Sequence, residues 1–397
     1  MDDRFLALAE LAVHGTNLQR GQVVAVSATT GQEELARAVA VAAYTHGALF
    51  VDVAYFDPFV KRARIAHADP ETLDFVPPWY GVRLLQLAER GDARIALSGM
   101  VSPDPFVGLD PSLVGRDLLP WLKENARVIG DRATNWTIVP CPHREWAKVV
   151  YPELEEEAAY ERLWEELWHV LRLDEPDAAV AWDERAAALK GSAAALNERR
   201  FDALELSGPG TELTIGLLPS SNWTAGEFTT RNGLRHLPNL PTEEVFTSPD
   251  PERTEGTLTS TKPLVLNDGT VVRGLRMRFE GGRAVEIDAD ENAGAIRSRA
   301  EFDDGAARLG EVALVDRMGR IGPLGTVFYN TLLDENAASH VAIGHGFGFA
   351  VDEGDAARVN QSEIHVDFMI GSPELEVTGV TAGGERVPVL RNGDWQI

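Results

Sequence analysis

The chain has 397 residues, which is too long for one hydrophobic core of ordinary size and therefore predicts two domains. Its formal net charge of -25 argues against nucleic acid or an anionic membrane as a partner, because both bind basic surfaces. The single cysteine, Cys141, excludes an internal disulfide and argues against a zinc site built from thiolates.

The first predicted element is an amphipathic helix in MDDRFLALAELAVHG, at residues 1–15. Its acidic start differs from the basic n-region and apolar core of a signal peptide. No apolar run in the sequence approaches the roughly 18 residues of a membrane-spanning helix. These features predict a soluble, cytoplasmic protein.

Residues 21–100 alternate between strand and helix patterns. The apolar runs GQVVAVSA, ALFVDVAYFD and ARIALSGM predict strands, and GQEELARAVAVAAYTHG predicts a helix between the first two. This alternation is typical of βαβ units, so we predict an α/β N-terminal domain, residues 1–200, with a mostly parallel sheet. The absence of a G-x-G-x-x-G or Walker pattern argues against a nucleotide site.

The sequence pattern changes from about residue 201 onward. Runs such as DALELSGPGTELTIGLLP, GTVVRGLRMRFEGGRAVEIDA and VPVLRNGDWQI alternate apolar and polar residues. Turn signals punctuate them, among them Gly-Pro-Gly, Glu-Gly-Gly and the Asn-Asp-Gly at 267–269. We therefore predict a β-rich α+β C-terminal domain, residues 201–397, which also contains the candidate metal ligands described next.

Residues 360–372, NQSEIHVDFMIGS, contain the most informative strand pattern. Successive side chains of a strand point to opposite faces, so His365 and Asp367 share one face while Val366 and Phe368 lie on the other. Their Cα atoms would lie about 6.5 Å apart, which allows both side chains to reach one metal ion or a close pair of ions. A half-buried strand with a solvated polar face gives the same pattern, so further ligands are needed.

Other metal-binding side chains of this half lie in apolar surroundings. They are Glu244 in NLPTEEVFTSP, Glu311 in LGEVALVD, Asp334, Glu335 and His340 in FYNTLLDENAASH, and His345. Each of them alone could be structural. Glu335 and His340 are separated by about 140° around an ideal helix, so they converge only if the chain turns between them. The residues by themselves support a hypothesis, a carboxylate and imidazole site for a divalent metal ion.

Several segments, taken in order, resemble a known family. NLPTEEVFTSP, LGEVALVD, FYNTLLDENAASH and NQSEIHVDFMIGS, with NWTIVPCPHREWAK in the first half, are similar to segments of the thermophilic aminopeptidases, the metallopeptidases called aminopeptidase T, aminopeptidase S and PepS. The likeness covers nearly the whole chain. It implies a cytoplasmic, homodimeric exopeptidase with an α/β N-terminal domain and a C-terminal domain that binds two divalent metal ions. The implied substrates are peptides with a free N-terminus.

The resemblance also implies roles for individual residues. The implied metal ligands are Glu244, Glu311, His340, His365 and Asp367. Glu335 is implied to be a further ligand or the catalytic group that handles the proton. Zn²⁺, Co²⁺ and Mn²⁺ suit such ligands, and two of these ions, bridged by Glu311 or Asp367, would activate a water for attack on the peptide carbonyl.

One position departs from the family pattern. Seven residues after the histidine that matches His340, family members carry a tyrosine whose hydroxyl is placed to stabilise the tetrahedral intermediate, whereas this chain has Phe347. Phenylalanine has no hydrogen to donate, so we predict that His345 acts as the catalytic donor instead. The alternatives are a loop histidine without this role, or a shifted loop in which Tyr329 supplies the hydroxyl.

Two other functions remain open from the sequence. A dinuclear metal phosphoesterase uses similar ligands but also needs cationic side chains or a backbone nest for the phosphate. The cations nearest to the candidate ligands in the sequence are Lys262, Arg317 and Arg320. The second alternative is a non-enzymatic acidic binding protein, in which the same histidines and glutamates are structural.

Overall fold

The structure is a computed structural model that describes residues 2–103, 105–117, 119–120, 122–266, 270–352 and 354–397. These residues form two compact units, Met1–Asp183 with Glu227–Pro241, and Glu184–Gly226 with Thr242–Ile397. The predicted Asn-Asp-Gly turn at 267–269 lies outside the described residues. The first unit includes a segment from the second half of the chain, and the division into domains 1–200 and 201–397 remains a prediction.

The elements are numbered in chain order. The helices are α1 (Asp3–Thr16), α2 (Glu33–Thr45), α3 (Pro58–His67), α4 (Pro78–Arg90), α5 (Pro111–Arg116), α6 (Lys123–Gly130), α7 (Arg144–Val150), α8 (Glu156–Val170), α9 (Ala178–Arg199), α10 (Ala293–Ala300) and α11 (Thr331–Glu335). The strands are β1 (Val23–Thr29), β2 (Phe50–Phe56), β3 (Ala93–Ser98), β4 (Trp136–Pro140), β5 (Phe201–Gly208), β6 (Thr211–Leu217), β7 (Thr224–Ala225), β8 (Phe228–Thr229), β9 (Arg235–His236), β10 (Glu244–Thr247), β11 (Pro249–Thr259), β12 (Leu264–Val265), β13 (Val271–Val272), β14 (Arg276–Glu280), β15 (Arg283–Asp288), β16 (Leu309–Val315), β17 (His340–Gly344), β18 (His365–Met369), β19 (Glu376–Thr381), β20 (Arg386–Arg391) and β21 (Asp394–Trp395).

The first unit contains a parallel sheet with the strand order β2-β1-β3-β4. Val24 and Ala25 of β1 point to opposite faces and are both buried, as expected for a central strand of a sheet covered on both faces. Helix α1 begins where the Asp2 carboxylate accepts a hydrogen bond from the main-chain N–H of Arg4 at 2.9 Å. The predicted parallel sheet in the first half is confirmed.

The second unit is built on antiparallel sheets. The larger has the strand order β15-β14-β11-β6-β5-β19-β20-β21, and the smaller has the order β18-β17-β16-β10-β7. Two predicted turns close hairpins of the larger sheet: Gly208 pairs with Thr211, and Glu280 pairs with Arg283. The two-residue loop between the second pair consists of glycines with positive φ, which matches the right-handed twist of the strands. The predicted β-rich second half is confirmed.

Within the described residues, every helix is too short or too polar to cross a membrane.

Candidate metal centre

The candidate ligands come from four neighbouring strands of the smaller sheet, β18, β17, β16 and β10. Residues that pair across adjacent strands face the same side of a sheet. The relevant pairs are Phe246 with Ala313, Ala313 with His340, Glu311 with Ala342, Ala342 with Asp367, and Gly344 with His365. Glu244 precedes Phe246 by two positions and shares its face. All five implied ligands therefore project from one face, and the small side chains of Ala313 and Ala342 leave space between them.

A bulge at Gly310 brings Glu311 to this face. Leu309 pairs with Ile343, whereas Glu311 pairs with the adjacent Ala342, so β16 has one extra residue here. The extra residue reverses the alternation of side chains, and Leu309 lies in the hydrophobic core while Glu311 points to the site. A Cβ atom at position 310 would lie 2.4 Å from a main-chain carbonyl oxygen of β17, so the bulge requires glycine.

The ligand atoms form two overlapping groups. Glu244, Glu311 and His340 supply the first group, and Glu311, His365 and Asp367 supply the second. Within each group the atoms lie within 4.8 Å of one another. Nε2 of His340 is 3.0 Å from a carboxylate oxygen of Glu244, and Nε2 of His365 is 3.2 Å from oxygens of both Glu311 and Asp367. Glu311 belongs to both groups.

Main-chain carbonyl groups orient both imidazoles. Nδ1 of His340 lies 3.1 Å from the carbonyl oxygen of Ala338, and Nδ1 of His365 lies 2.8 Å from that of His345. Because a carbonyl oxygen can only accept, Nδ1 is the nitrogen that carries the hydrogen in each ring. Nε2 therefore points at the carboxylates, which is the orientation that second hydrogen bonds impose on metal-binding histidines.

Negative charge predominates in this poorly solvated centre, where Glu311 is 5% and His340 is 1% exposed. Burial raises the pKa of Glu311, although the neighbouring His365 opposes the shift. Burial alone would lower the pKa of His340, but the hydrogen bond and charge of Glu244, with the other carboxylates, raise it to about 10. The carboxylates thus require positive charge close by, and a divalent metal ion supplies it. The residues present fit such an ion.

Glu335 lies beside these groups at the end of α11. The helix ends at Glu335 and β17 begins at His340, so the chain turns between the two residues, as their spacing requires. Burial, followed by the charges of Asp367 and Glu244, raises the pKa of Glu335 well above its usual value. Among the described residues, Glu335 is in neither of the two ligand groups. Its carboxyl group is suited to hold and release a proton.

Phe347 also faces the candidate ligands. Its ring centroid lies 5.2 Å from that of His365 and 5.3 Å from that of Phe349, on which it stacks. Its main-chain N–H donates a hydrogen bond to Ser248 Oγ at 2.8 Å, which holds the loop after β17 in place. The ring of Phe347 therefore lies beside one of the candidate ligands.

The two alternative donors differ in their surroundings. The main-chain carbonyl oxygen of His345 accepts the hydrogen bond from His365, and the ring centroid of His345 lies 6.5 Å from that of Phe347. Burial and the charge of His365 lower the pKa of His345, while a hydrogen bond between its ring and the main chain of Ser362 opposes the shift. The hydroxyl of Tyr329 accepts a hydrogen bond from Arg273 at 3.2 Å. The catalytic role of His345 remains a prediction.

The groups that support the ligands were not predicted from the sequence. The carbonyl oxygens that orient the histidines leave no signal in the sequence, because every residue has one. The adjacent pair Glu243 and Glu244 is a signal in the sequence, because neighbouring side chains of an extended segment point to opposite sides. Glu243 is fully buried, and a buried carboxylate needs a positive partner. The partner of Glu243 is Arg185, at 2.5 Å.

Buried centres of carboxylates and imidazoles are typical of proteins that bind divalent metal ions. The family model described as thermophilic metalloprotease (M29) matches residues 1–395, and the chain belongs to this family. The family that the sequence segments indicated is thereby confirmed.

Individual relatives match over almost their whole length. Aminopeptidase T of Thermus aquaticus is 42% identical over 400 residues, which cover 98% of this chain and 98% of the relative. Aminopeptidase PepS of Streptococcus thermophilus is 36% identical over 407 residues, which cover 98% of this chain and 96% of the relative. The structure of wild-type AmpT from Thermus thermophilus aligns with a TM-score of 0.91 at 41% identity and covers 100% of this chain and 99% of that chain.

Proposed function

We propose that this chain removes N-terminal residues from peptides, with two divalent metal ions bound at the centre described above. Metal-dependent aminopeptidase activity follows from membership of a metalloprotease family and from full-length relatives that are named aminopeptidases. The observation that supports the two-ion part of the proposal is the pair of ligand groups that share Glu311.

Charge balance also favours two ions. Glu244, Glu311 and Asp367 carry three negative charges when ionised, and Glu335 carries a fourth once it has released its proton, while the histidines are neutral when they bind a metal ion. Two divalent ions balance this charge, whereas one ion leaves two negative charges without a partner in a poorly solvated site. Glu311 would then be the bridging ligand, because it belongs to both groups.

Each of the two ligand groups would hold one ion. Glu244, Glu311 and His340 would hold the first, and Glu311, His365 and Asp367 the second. Zn²⁺, Co²⁺ and Mn²⁺ are the ions that suit this combination of oxygen and nitrogen ligands. When bound, the ions supply Lewis-acid activation of a water molecule and of the scissile carbonyl group.

Glu335 acts as the general acid–base group in the proposed reaction. Its carboxylate takes a proton from the attacking water and returns it to the amine that leaves. Burial among other carboxylates raises the pKa of Glu335, which favours the protonated form that delivers a proton to the leaving amine. Carboxylate oxygens of the centre can also accept hydrogen bonds from the free α-ammonium group of the substrate, which would explain the requirement for a free N-terminus.

The two alternative functions have less support. Lys262 Nζ donates to the carbonyl oxygen of Thr326 at 3.4 Å, and Arg317 forms an ion pair with Asp394. These cations are therefore engaged by other groups, while a phosphoesterase needs such cations to bind phosphate. A purely structural role would leave the excess of buried carboxylates without counter-charge.

The homodimer and the cytoplasmic location that the resemblance implies also belong to this proposal. Light scattering on the purified protein should give twice the mass of one chain, and a monomer at working concentration would contradict the dimer.

Removal and replacement of metal tests the activity. Dialysis against a chelator should abolish hydrolysis of an aminoacyl-p-nitroanilide, and adding Co²⁺, Zn²⁺ or Mn²⁺ should restore it, because the catalytic water depends on the ions. The N-acetylated substrate is the matched control and should not be cleaved. Cleavage that survives chelation would contradict the metal-dependent reaction, and cleavage of bis-p-nitrophenyl phosphate instead would favour the phosphoesterase.

Substitution of Phe347 by tyrosine should raise kcat. The ring lies beside His365, and a new hydroxyl that points into the centre would donate to the developing oxyanion. One such donor is typically worth about 10² to 10³ in kcat, and the gain is smaller where another donor already acts. If His345 is that donor, His345→Ala should reduce kcat in the parent and have less effect in the Phe347→Tyr background. Steady-state kinetics of both single variants and the double variant measure this coupling. Two silent single variants would mean that neither position provides the donor.

A further inference from the structure

We infer that Asn336 is a positioning residue of the metal centre. Asn336 follows Glu335 in the chain and binds the main chain of Glu243, so it fixes the distance between Glu335 and Glu244. This inference rests on the proposed function, because it gives Glu335 and Glu244 their tasks.

The side chain of Asn336 is fully buried and joins two parts of the centre. Its Oδ1 accepts a hydrogen bond at 2.6 Å from the main-chain N–H of Glu243, the residue directly before Glu244. Its Nδ2 donates to the main-chain carbonyl oxygen of Leu332 at 2.9 Å, within the helix that ends at Glu335. One amide group thus connects the start of β10 with α11.

The start of β10 is also held through the side chain of Glu243. Nε of Arg185 donates to the Glu243 carboxylate at 2.5 Å, and Nη2 of Arg185 donates to Asp316 at 2.8 Å. Glu244 pairs with Val315, so Glu243 and Asp316 extend from the same end of two paired strands, β10 and β16. Trp395 Nε1 donates to Asp316 at 2.7 Å and adds a third element. The guanidinium group therefore fixes these strand ends relative to each other.

Asn336 joins α11 to this held strand end by its side-chain hydrogen bonds. With β10 held by Arg185, the position of Glu335 relative to Glu244 depends on what joins α11 to β10. A displacement of about 1 Å in a catalytic group can cost about 10² in rate. Groups that support metal ligands typically contribute about 10-fold to 100-fold to metal affinity or activity.

Asn336→Ala tests the inference, with Asn197→Ala as the matched control. Asn197 makes the same pair of hydrogen bonds with Trp223: it accepts from the main-chain N–H at 2.7 Å and donates to the carbonyl oxygen at 2.9 Å. Both variants should lower the melting temperature of the metal-free protein. Only Asn336→Ala should weaken Zn²⁺ affinity, measured by competition with a chromogenic chelator, or kcat, by about 10-fold to 100-fold. Asn197→Ala should keep both values within about twofold of the parent.

Two further variants keep the test decisive if Asn336→Ala does not fold. Asn336→Asp keeps the acceptor for the Glu243 N–H but loses the donor to Leu332, and Arg185→Lys keeps the charge but loses the planar fork that binds two carboxylates. Each should reduce Zn²⁺ affinity or kcat in the same direction as Asn336→Ala. The inference would be overturned if both variants keep the Zn²⁺ affinity and kcat of the parent, or if Asn197→Ala loses as much of either as Asn336→Ala does. A parent protein that binds Zn²⁺ but cleaves no peptide would contradict the proposed function instead, and the affinity measurements would still test the positioning.

Discussion

His365→Ala and Asp367→Asn should each abolish peptide hydrolysis while the fold persists. His365→Ala removes the ligand nitrogen from the group of Glu311, His365 and Asp367, and Asp367→Asn replaces the charged carboxylate of that group with a neutral amide. Loss of a group that supports a ligand typically lowers metal affinity by about 10-fold to 100-fold. The loss here should be larger, because the ligand itself is changed. The fold should persist because the core side of β18 is formed by other residues, such as the fully buried Phe368.

Metal content and thermal unfolding distinguish this result from simple misfolding. Elemental analysis should show fewer than the parent number of metal ions per chain, while circular dichroism shows the parent spectrum. Glu363→Gln is the matched control, because Glu363 is an exposed acid just before β18. Its removal should leave both metal content and turnover unchanged. A preparation of His365→Ala or Asp367→Asn with full activity and full metal content would refute the assignment.

Glu335→Gln should retain both metal ions and reduce kcat by roughly 10² or more, the usual scale for a general acid–base group. Glutamine has nearly the same shape but cannot take a proton from water. The metal-free variant should also melt at a higher temperature than the metal-free parent, because glutamine avoids the free-energy cost of burying the Glu335 carboxyl group among other carboxylates.

Elemental analysis decides between the two roles that the sequence left open for Glu335. Loss of metal from Glu335→Gln would make it a ligand, while retained metal with low kcat would make it the proton carrier. Glu335→Asp keeps a carboxyl group on a shorter side chain and should recover part of kcat if proton transfer is the role. Full activity of Glu335→Gln would exclude both roles.

Local patterns were sufficient for much of the secondary structure. The apolar runs at the start of the chain predicted the strands of the parallel sheet, and the Gly-Pro-Gly and Glu-Gly-Gly turns predicted hairpins that the second unit contains. These features depend on side-chain alternation and on glycine conformation, which act over a few residues. Hence the sequence alone determines them.

The alternation of His365 and Asp367 also identified one half of the site from the sequence. Both side chains do lie on one face of β18, with Nε2 of His365 3.2 Å from the carboxylate of Asp367. The other ligands are distant in the chain. Their apolar surroundings made them candidates, and the resemblance to a family gave them their roles.

The tertiary structure decided what no local pattern could. The register of β10, β16, β17 and β18 places the ligands on a common face, and the bulge at Gly310 reverses the alternation so that Glu311 reaches that face. Which of the adjacent Glu243 and Glu244 faces the ligands depends on Arg185, which arrives from α9. Strand register and the partners of buried charges are set by contacts between segments distant in the chain, so they exist only once those segments have packed together.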